Sequence, residues 1–270
     1  TAMDAVLSRV LQDGDPGGHY RRALAHFPSQ AMVERVLGKY FIEGGRHPDA
    51  PYKPIPKLTL QTARAGQELG VLGNFAEVWL AKEGHDGLVG INALEKVQMA
   101  TPTALFGAML AGVDYVLMGA GIPREIPALL RALAAGTPGR ISADVAGGTL
   151  RRHVEVDPVD LLGEDLPSMV RPDFLAIVSV DQLASYLHRD PDIRPDGFVV
   201  ERPPAGGHSA PPRGRMQLDE HGEPVYGARD EANLEKMAAL GLPFWLAGAF
   251  GTPERVAEAV ASGAVGVQVG

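Results

Sequence analysis

His208 is the residue of this 270-residue sequence best placed to move a proton. It closes the stretch Ala205-Gly206-Gly207-His208, which follows the apolar run Gly197-Phe198-Val199-Val200 and then Glu201. An imidazole with an ordinary pKa near ~6.5 takes up a proton at neutral pH. The Gly pair before it lets the backbone come close to a bound ligand. A surface-loop histidine has the same residue type, so the position carries the reading. Two more apolar runs end in small residues. Phe244-Trp245-Leu246 leads into Ala247-Gly248-Ala249, and Val265-Gly266-Val267-Gln268-Val269 leads into Gly270. Small residues leave backbone N–H groups open to an anion, and the N-termini of following helices add a favourable dipole. One Gly pair alone reads as a tight turn. Three at successive strand ends point to a phosphate-bearing ligand. The other histidines are His19, His26, His47, His85, His153, His188 and His221. They show no metal-ligand spacing, so no metal site is expected. No GxxxxGK[ST] loop, HExxH or GxSxG elbow occurs.

The elements that must position these residues follow from the apolar periodicity. Strands are expected at Val89–Asn92, Tyr115–Met118, Phe174–Ser179, Gly197–Val200, Phe244–Ala247 and Val265–Val269, with weaker signals at Ile141–Val145 and Leu69–Leu72. Runs apolar on both faces mark parallel strands buried on both sides. Helices are expected at Phe75–Lys82, Pro102–Ala111, Val180–Leu187, Glu231–Leu240 and Pro253–Ser262. This alternation means parallel βαβ units. Ahead of it lie helical stretches at Thr1–Leu11 and Ser29–Phe41 and a loop from Arg46 to Lys57 containing four prolines. The expected division is a helical and loop segment over 1–66, an insertion or lid, and a barrel over 67–270. Thr101–Gly119 and Thr252–Gly270 read alike: Thr-Pro, a helix, a Gly stop, a strand, then Gly. Such repetition favours a barrel over an open sheet.

Composition excludes several classes. Cysteine is absent, which removes disulfides, thiolate metal sites, iron–sulfur clusters and a cysteine nucleophile. Lys+Arg 25 against Asp+Glu 33 gives a net charge of −8, without the cationic footprint that nucleic acid or a membrane surface requires. Ala104–Ile122 carries one charge, Asp114, but the Thr101-Pro102 start and the Gly112 stop divide it into a helix and a strand. A cytoplasmic location is expected. The chain begins at Thr1 and ends straight after a strand-like run, and it reads as a piece of a longer protein.

As a set, these residues carry a family pattern. Gly197–Glu201 with Ala205-Gly206-Gly207-His208, Val89-Gly90-Ile91-Asn92, Ala247-Gly248 and the closing Gly266-Val267-Gln268-Val269-Gly270 resemble the nitronate monooxygenase family, formerly called 2-nitropropane dioxygenases. The resemblance runs from about residue 88 to 270. Residues 1–66 resemble an insertion in a longer branch of that family, and that branch also shows wording like Gly112-Val113-Asp114-Tyr115-Val116-Leu117-Met118-Gly119-Ala120-Gly121-Ile122-Pro123. The resemblance implies an α/β fold, a (β/α)8 TIM barrel that binds FMN. It implies oxidation of a nitronate or nitroalkane substrate by O2 to a carbonyl compound and nitrite. It also implies site roles. Asn92 contacts the flavin, and Gly206, Gly207, Gly248 and Ala249 hold the phosphate through backbone amides. Gln268 and Gly270 close that phosphate site, and His208 takes the α-proton of a neutral nitroalkane. Glu201 stands where the family usually has Gln, and Ala249 where it has a second Gly. The family's first strand has no counterpart and its second seems lost, so the barrel is expected to be incomplete, with about six of eight strands. A homo-oligomer is compatible with this reading. Three alternatives stay open: an NAD(P)H-using flavin reductase of the enoyl-acyl carrier protein reductase type, a non-redox phosphate-binding barrel such as an aldolase or isomerase, and a non-catalytic ligand binder.

Overall fold

The structure, a computed structural model, describes residues 3–143, 145–148, 150–205 and 210–270. In chain order its helices are α1 (Met3–Gln12), α2 (His19–Leu24), α3 (Gln30–Tyr40), α4 (Arg64–Lys82), α5 (Thr101–Leu110), α6 (Ile126–Ala134), α7 (Pro158–Leu162), α8 (Asp181–Arg189), α9 (Leu234–Ala239) and α10 (Pro253–Ala261). The strands are β1 (Gly90–Leu94), β2 (Tyr115–Gly119), β3 (Gly139–Ala143), β4 (Arg152–Val156), β5 (Asp173–Val178), β6 (Gly197–Glu201), β7 (Phe244–Ala247) and β8 (Gly266–Gln268). Six strands share one sheet in the order β1-β2-β5-β6-β7-β8, and β3 pairs only with β4. The fold is mixed α/β. Its six-strand sheet is compatible with part of a barrel and short of a complete one.

The chain divides into two compact units, residues 1–116 with 128–172, and residues 117–127 with 173–270. In the first unit α4 is the organising helix. Eleven of its 19 residues are buried, and α1, α2, α3 and α5 all pack on it. Helix α5 comes so close that a Cβ on Gly107 would sit 2.2 Å from the Val71 carbonyl oxygen; only glycine permits that crossing. The carboxylate of Glu68, 3% exposed, is held by Arg35 at 2.7 Å and Arg64 at 3.0 Å. A buried charge needs such partners, because an unpaired one costs several kcal/mol, of order ~3–5. Helix α1 buries Asp4, Leu7, Ser8, Leu11 and Gln12, the spacing of one helix face. Its last residue pins the proline-rich stretch: the Gln12 carbonyl accepts from Arg46 N–H and its Oε1 from Lys53 N–H at 2.6 Å.

The second unit carries β5 to β8, parallel and in sequence order, with α8, α9 and α10 following β5, β6 and β7 in the chain. Phe198, Val199, Val200, Phe244 and Leu246 are each at most 2% exposed, as expected for strands covered on both faces. The two stretches that read alike in sequence adopt the same order, α5 then β2 and α10 then β8. Both helices stop identically. Gly112 (φ 73°) and Gly263 (φ 92°) are left-handed, and the following amides, Val113 and Ala264, reach back to Ala108 and Ala259. The starts differ. Thr252 caps α10 by accepting from Arg255 N–H, whereas Thr101 lies inside α5 and donates its hydroxyl to the Val97 carbonyl. A second recurrence was not foreseen. Asp114 exchanges two bonds with Val89, one through its carboxylate, and Asp196 does the same with Phe174. An aspartate thus clasps the start of the strand before it in both units.

Two expectations fail. Leu69–Leu72 is not a strand but lies inside α4. Ile141–Val145 overlaps β3, but β3 is antiparallel to β4 in a hairpin and adds nothing to the six-strand sheet. Helix α9 is also shorter than the helix expected over Glu231–Leu240.

Candidate functional site

The C-terminal edge of the second unit's sheet is where the small residues gather. In register, Glu201 stands opposite Ala247, and Ala247 opposite Gln268. Registered partners in parallel strands project to one face, so Glu201 and Gln268 share a face with the small Ala247 between them. Two strand spacings separate their backbones, about 10 Å. Beyond this row the chain turns away from the sheet, and an open cleft of about 460 Å³ lies over it. Glu201, Gly248, Ala249, Gln268 and Gly270 all line it, together with Ala205, Phe250 and Gly251.

The turn after β7 has unusual backbone. Gly248 has φ 102° and Ala249 φ 61°, two consecutive residues in the left-handed region. A Cβ on Gly248 would lie 3.0 Å from the Ala205 amide nitrogen and 3.2 Å from the Arg202 carbonyl oxygen. That position requires glycine for both conformation and space. Ala249 tolerates its conformation at a cost of about 1–2 kcal/mol. This turn connects β7 to the start of α10 and lines the cleft. Among the described residues, the N–H groups of Ala249, Phe250 and Gly251 have no carbonyl partner. Thr252 then caps α10, and Pro253 opens it. Backbone donors leading into a helix N-terminus are the elements of a phosphate cradle.

The electrostatics are mixed. Glu201 is the one charged residue lining the cleft among those described. Arg202 lies just outside it, with its guanidinium 5.5 Å from the centre of the Phe250 ring and 3.4 Å from Glu231. An anion in the cleft would rely on amides, the α10 dipole and the Gln268 amide. Backbone donors do not titrate, so such a cradle works across a wide pH range.

The loop after β6 is long, running from Arg202 to Asn233 before α9. Asp230 fastens it. Its Oδ1 accepts from Arg213 N–H at 2.7 Å and its Oδ2 from Gly227 N–H at 2.8 Å. The bond to Gly227, then the one to Arg213, holds its carboxyl below the ordinary carboxylate range. Tyr226 adds a hydroxyl bond to the Ala210 carbonyl, and Arg213 reaches Gln182 on α8. The two ends of the stretch 210–230 are therefore tied to each other.

Of the sequence-derived site residues, five meet at the cleft. Gly206, Gly207 and His208 lie outside the described residues. Asn92 lies in β1 of the first unit and is exposed. Sequence reasoning missed Phe250 and Gly251 as cleft residues and Asp230 as the loop's anchor. The Thr252-Pro253 helix start pointed to the first two; nothing local pointed to Asp230, whose partners are up to 17 residues away. Among the described residues no group of three His, Asp or Glu is placed to hold a metal, and no helix is long and apolar enough to cross a membrane. Compared with models of protein families and with curated proteins, the chain matches none.

Proposed function

We propose that this chain carries the phosphate-binding end of an FMN-dependent oxidoreductase of nitronate monooxygenase type, oxidising alkyl nitronates or nitroalkanes with O2 to a carbonyl compound and nitrite. One observation supports it above the others: the residues that the family resemblance assigns to phosphate, Gly248, Ala249, Gln268 and Gly270, line a single cleft at the ends of adjacent parallel strands. Ligands of α/β sheets bind outside the carboxyl ends of strands, and barrels place phosphate after the last two.

The residues present fit a phosphate monoester. No side chain larger than a methyl group stands at Ala247, Gly248 or Ala249, and the turn presents N–H groups without carbonyl partners among the described residues. FMN, when bound, supplies the electron-accepting group for nitronate oxidation. The chain's own residues do the rest. The Gly248–Gly251 turn donates to phosphate oxygens. Gln268 closes the other side from β8. Asp230 ties the loop after β6 at Arg213 and Gly227, and His208 precedes that stretch in sequence. His208 takes the α-proton from a neutral nitroalkane; a nitronate has already lost it.

That difference supplies the test. His208→Asn is expected to lower nitroalkane turnover at least tenfold more than nitronate turnover, read as nitrite release. Equal losses on both substrates would refute the base. Flavin reduced by NADH without any nitronate would instead support the nicotinamide-using reductase.

A further inference from the structure

The first unit holds a cluster the reading above does not use. Helix α4 begins after the turn Thr59–Thr62, in which Thr62 Oγ1 donates to the Thr59 carbonyl and accepts the Thr59 N–H. Facing this turn is the start of β4. Thr59, Leu60, Gln61, Arg151, Arg152 and His153 together line an open recess of about 700 Å³. All three basic residues are exposed. Among the described residues neither Arg151 nor Arg152 has a carboxylate within 4.0 Å, whereas Arg21, Arg22, Arg35, Arg46, Arg64, Arg202 and Arg255 each have one. On the hairpin itself, Glu155 stands opposite Arg140, three residues further along β4 than Arg152. The connection between β3 and β4 contains one acid, Asp144, which lies outside the described residues.

We propose that this recess binds the phosphate group of a small soluble phosphoester, with Arg151 and Arg152 as its main ligands. Two guanidiniums offer planar forks of N–H donors that match phosphate oxygens, and a histidine beside them adds a third donor. Thr59 and Gln61 supply neutral hydrogen-bonding groups at the rim, suited to the remainder of the molecule. The recess is open and larger than a bare phosphate needs. Polyanionic polymers are the poorer fit, because a chain of net charge −8 repels them. The site is separate from the β7–β8 cleft and does not depend on the flavin reading.

The test follows the His153 ring by proton NMR in the whole chain, with its signal identified by its loss in His153→Asn. Inorganic phosphate and pyrophosphate are titrated at fixed pH against sodium chloride of matched ionic strength. The expected result is a saturating shift of the His153 signal with both phosphates and none with chloride. In Arg151→Gln/Arg152→Gln the midpoint rises at least tenfold; both positions are exposed, and an unchanged amide spectrum elsewhere verifies the fold. A shift that tracks ionic strength without saturating, or one that persists in the double variant, overturns the proposal.

Discussion

The turn after β7 makes adjacent residues respond in opposite directions. At Gly248 an alanine must adopt φ 102° and place its Cβ within 3.0–3.2 Å of the Ala205 amide and the Arg202 backbone. The left-handed backbone costs about 1–2 kcal/mol and the overpacking about 1–3 kcal/mol, because backbone atoms cannot rotate away. Gly248→Ala should therefore destabilise the second unit by about 2–5 kcal/mol. At Ala249 the existing side chain already sits at φ 61°. Ala249→Gly removes a strain of about 1–2 kcal/mol and gives back about 0.5–1 kcal/mol in chain entropy. It should be neutral or mildly stabilising, where Ala→Gly ordinarily destabilises. The assay is urea unfolding followed by Trp245 fluorescence. The chain has two tryptophans, so Trp79→Phe makes Trp245, on β7, the only reporter. With a slope of about 2 kcal/mol per molar urea, the two midpoints should differ by about 1–3 M. Equal losses in both variants would refute the argument from the left-handed turn.

Two further predictions concern the carboxylates. Asp114 is held below the ordinary carboxylate range chiefly by Lys82 at 2.6 Å, then by the Val89 amide. A depressed carboxyl stabilises the fold above its unfolded pKa near ~3.9, and that contribution is lost as pH falls through the lower folded value. Asp114→Asn should thus lower thermal stability at pH 7 and flatten its decline between about pH 4 and pH 2; an unchanged acid limb would contradict this. Asp230→Asn leaves one oxygen where two accept backbone bonds, so trypsin should cut several-fold faster after Arg213, Arg215 or Arg229. Unchanged cleavage would mean that the loop is held by something else.

The legible parts of the fold were those whose burial matches a simple period. Strands β6 and β7 are short buried apolar runs between turn residues, and their positions follow almost residue by residue, while β8 occupies only Gly266–Gln268 of the expected Val265–Val269. Helix α4 hid part of itself because Leu69, Val71, Leu72, Phe75, Ala76 and Val78 are buried around most of its circumference. A helix covered on nearly all sides loses its amphipathic period, and Leu69–Leu72 then resembles a strand. Strand β4 failed in the opposite way. Its sequence, Arg152-His153-Val154-Glu155-Val156, buries only two side chains, and its partner is a hairpin neighbour rather than a central strand. The cleft was legible because turns that need glycine announce themselves. The anchor of the loop after β6, Asp230, was not, because bonds from a carboxylate to distant amides leave no local pattern.

The central claim is a phosphate-binding cleft for FMN at the ends of β6, β7 and β8. Its most direct test compares FMN with riboflavin, which lacks only the phosphate, by quenching of flavin fluorescence on titration with the purified chain. FMN is expected to bind at least tenfold more tightly than riboflavin, and Gly248→Ala to remove that preference. Equal affinity for the two flavins, or a folded chain that binds neither, would contradict it.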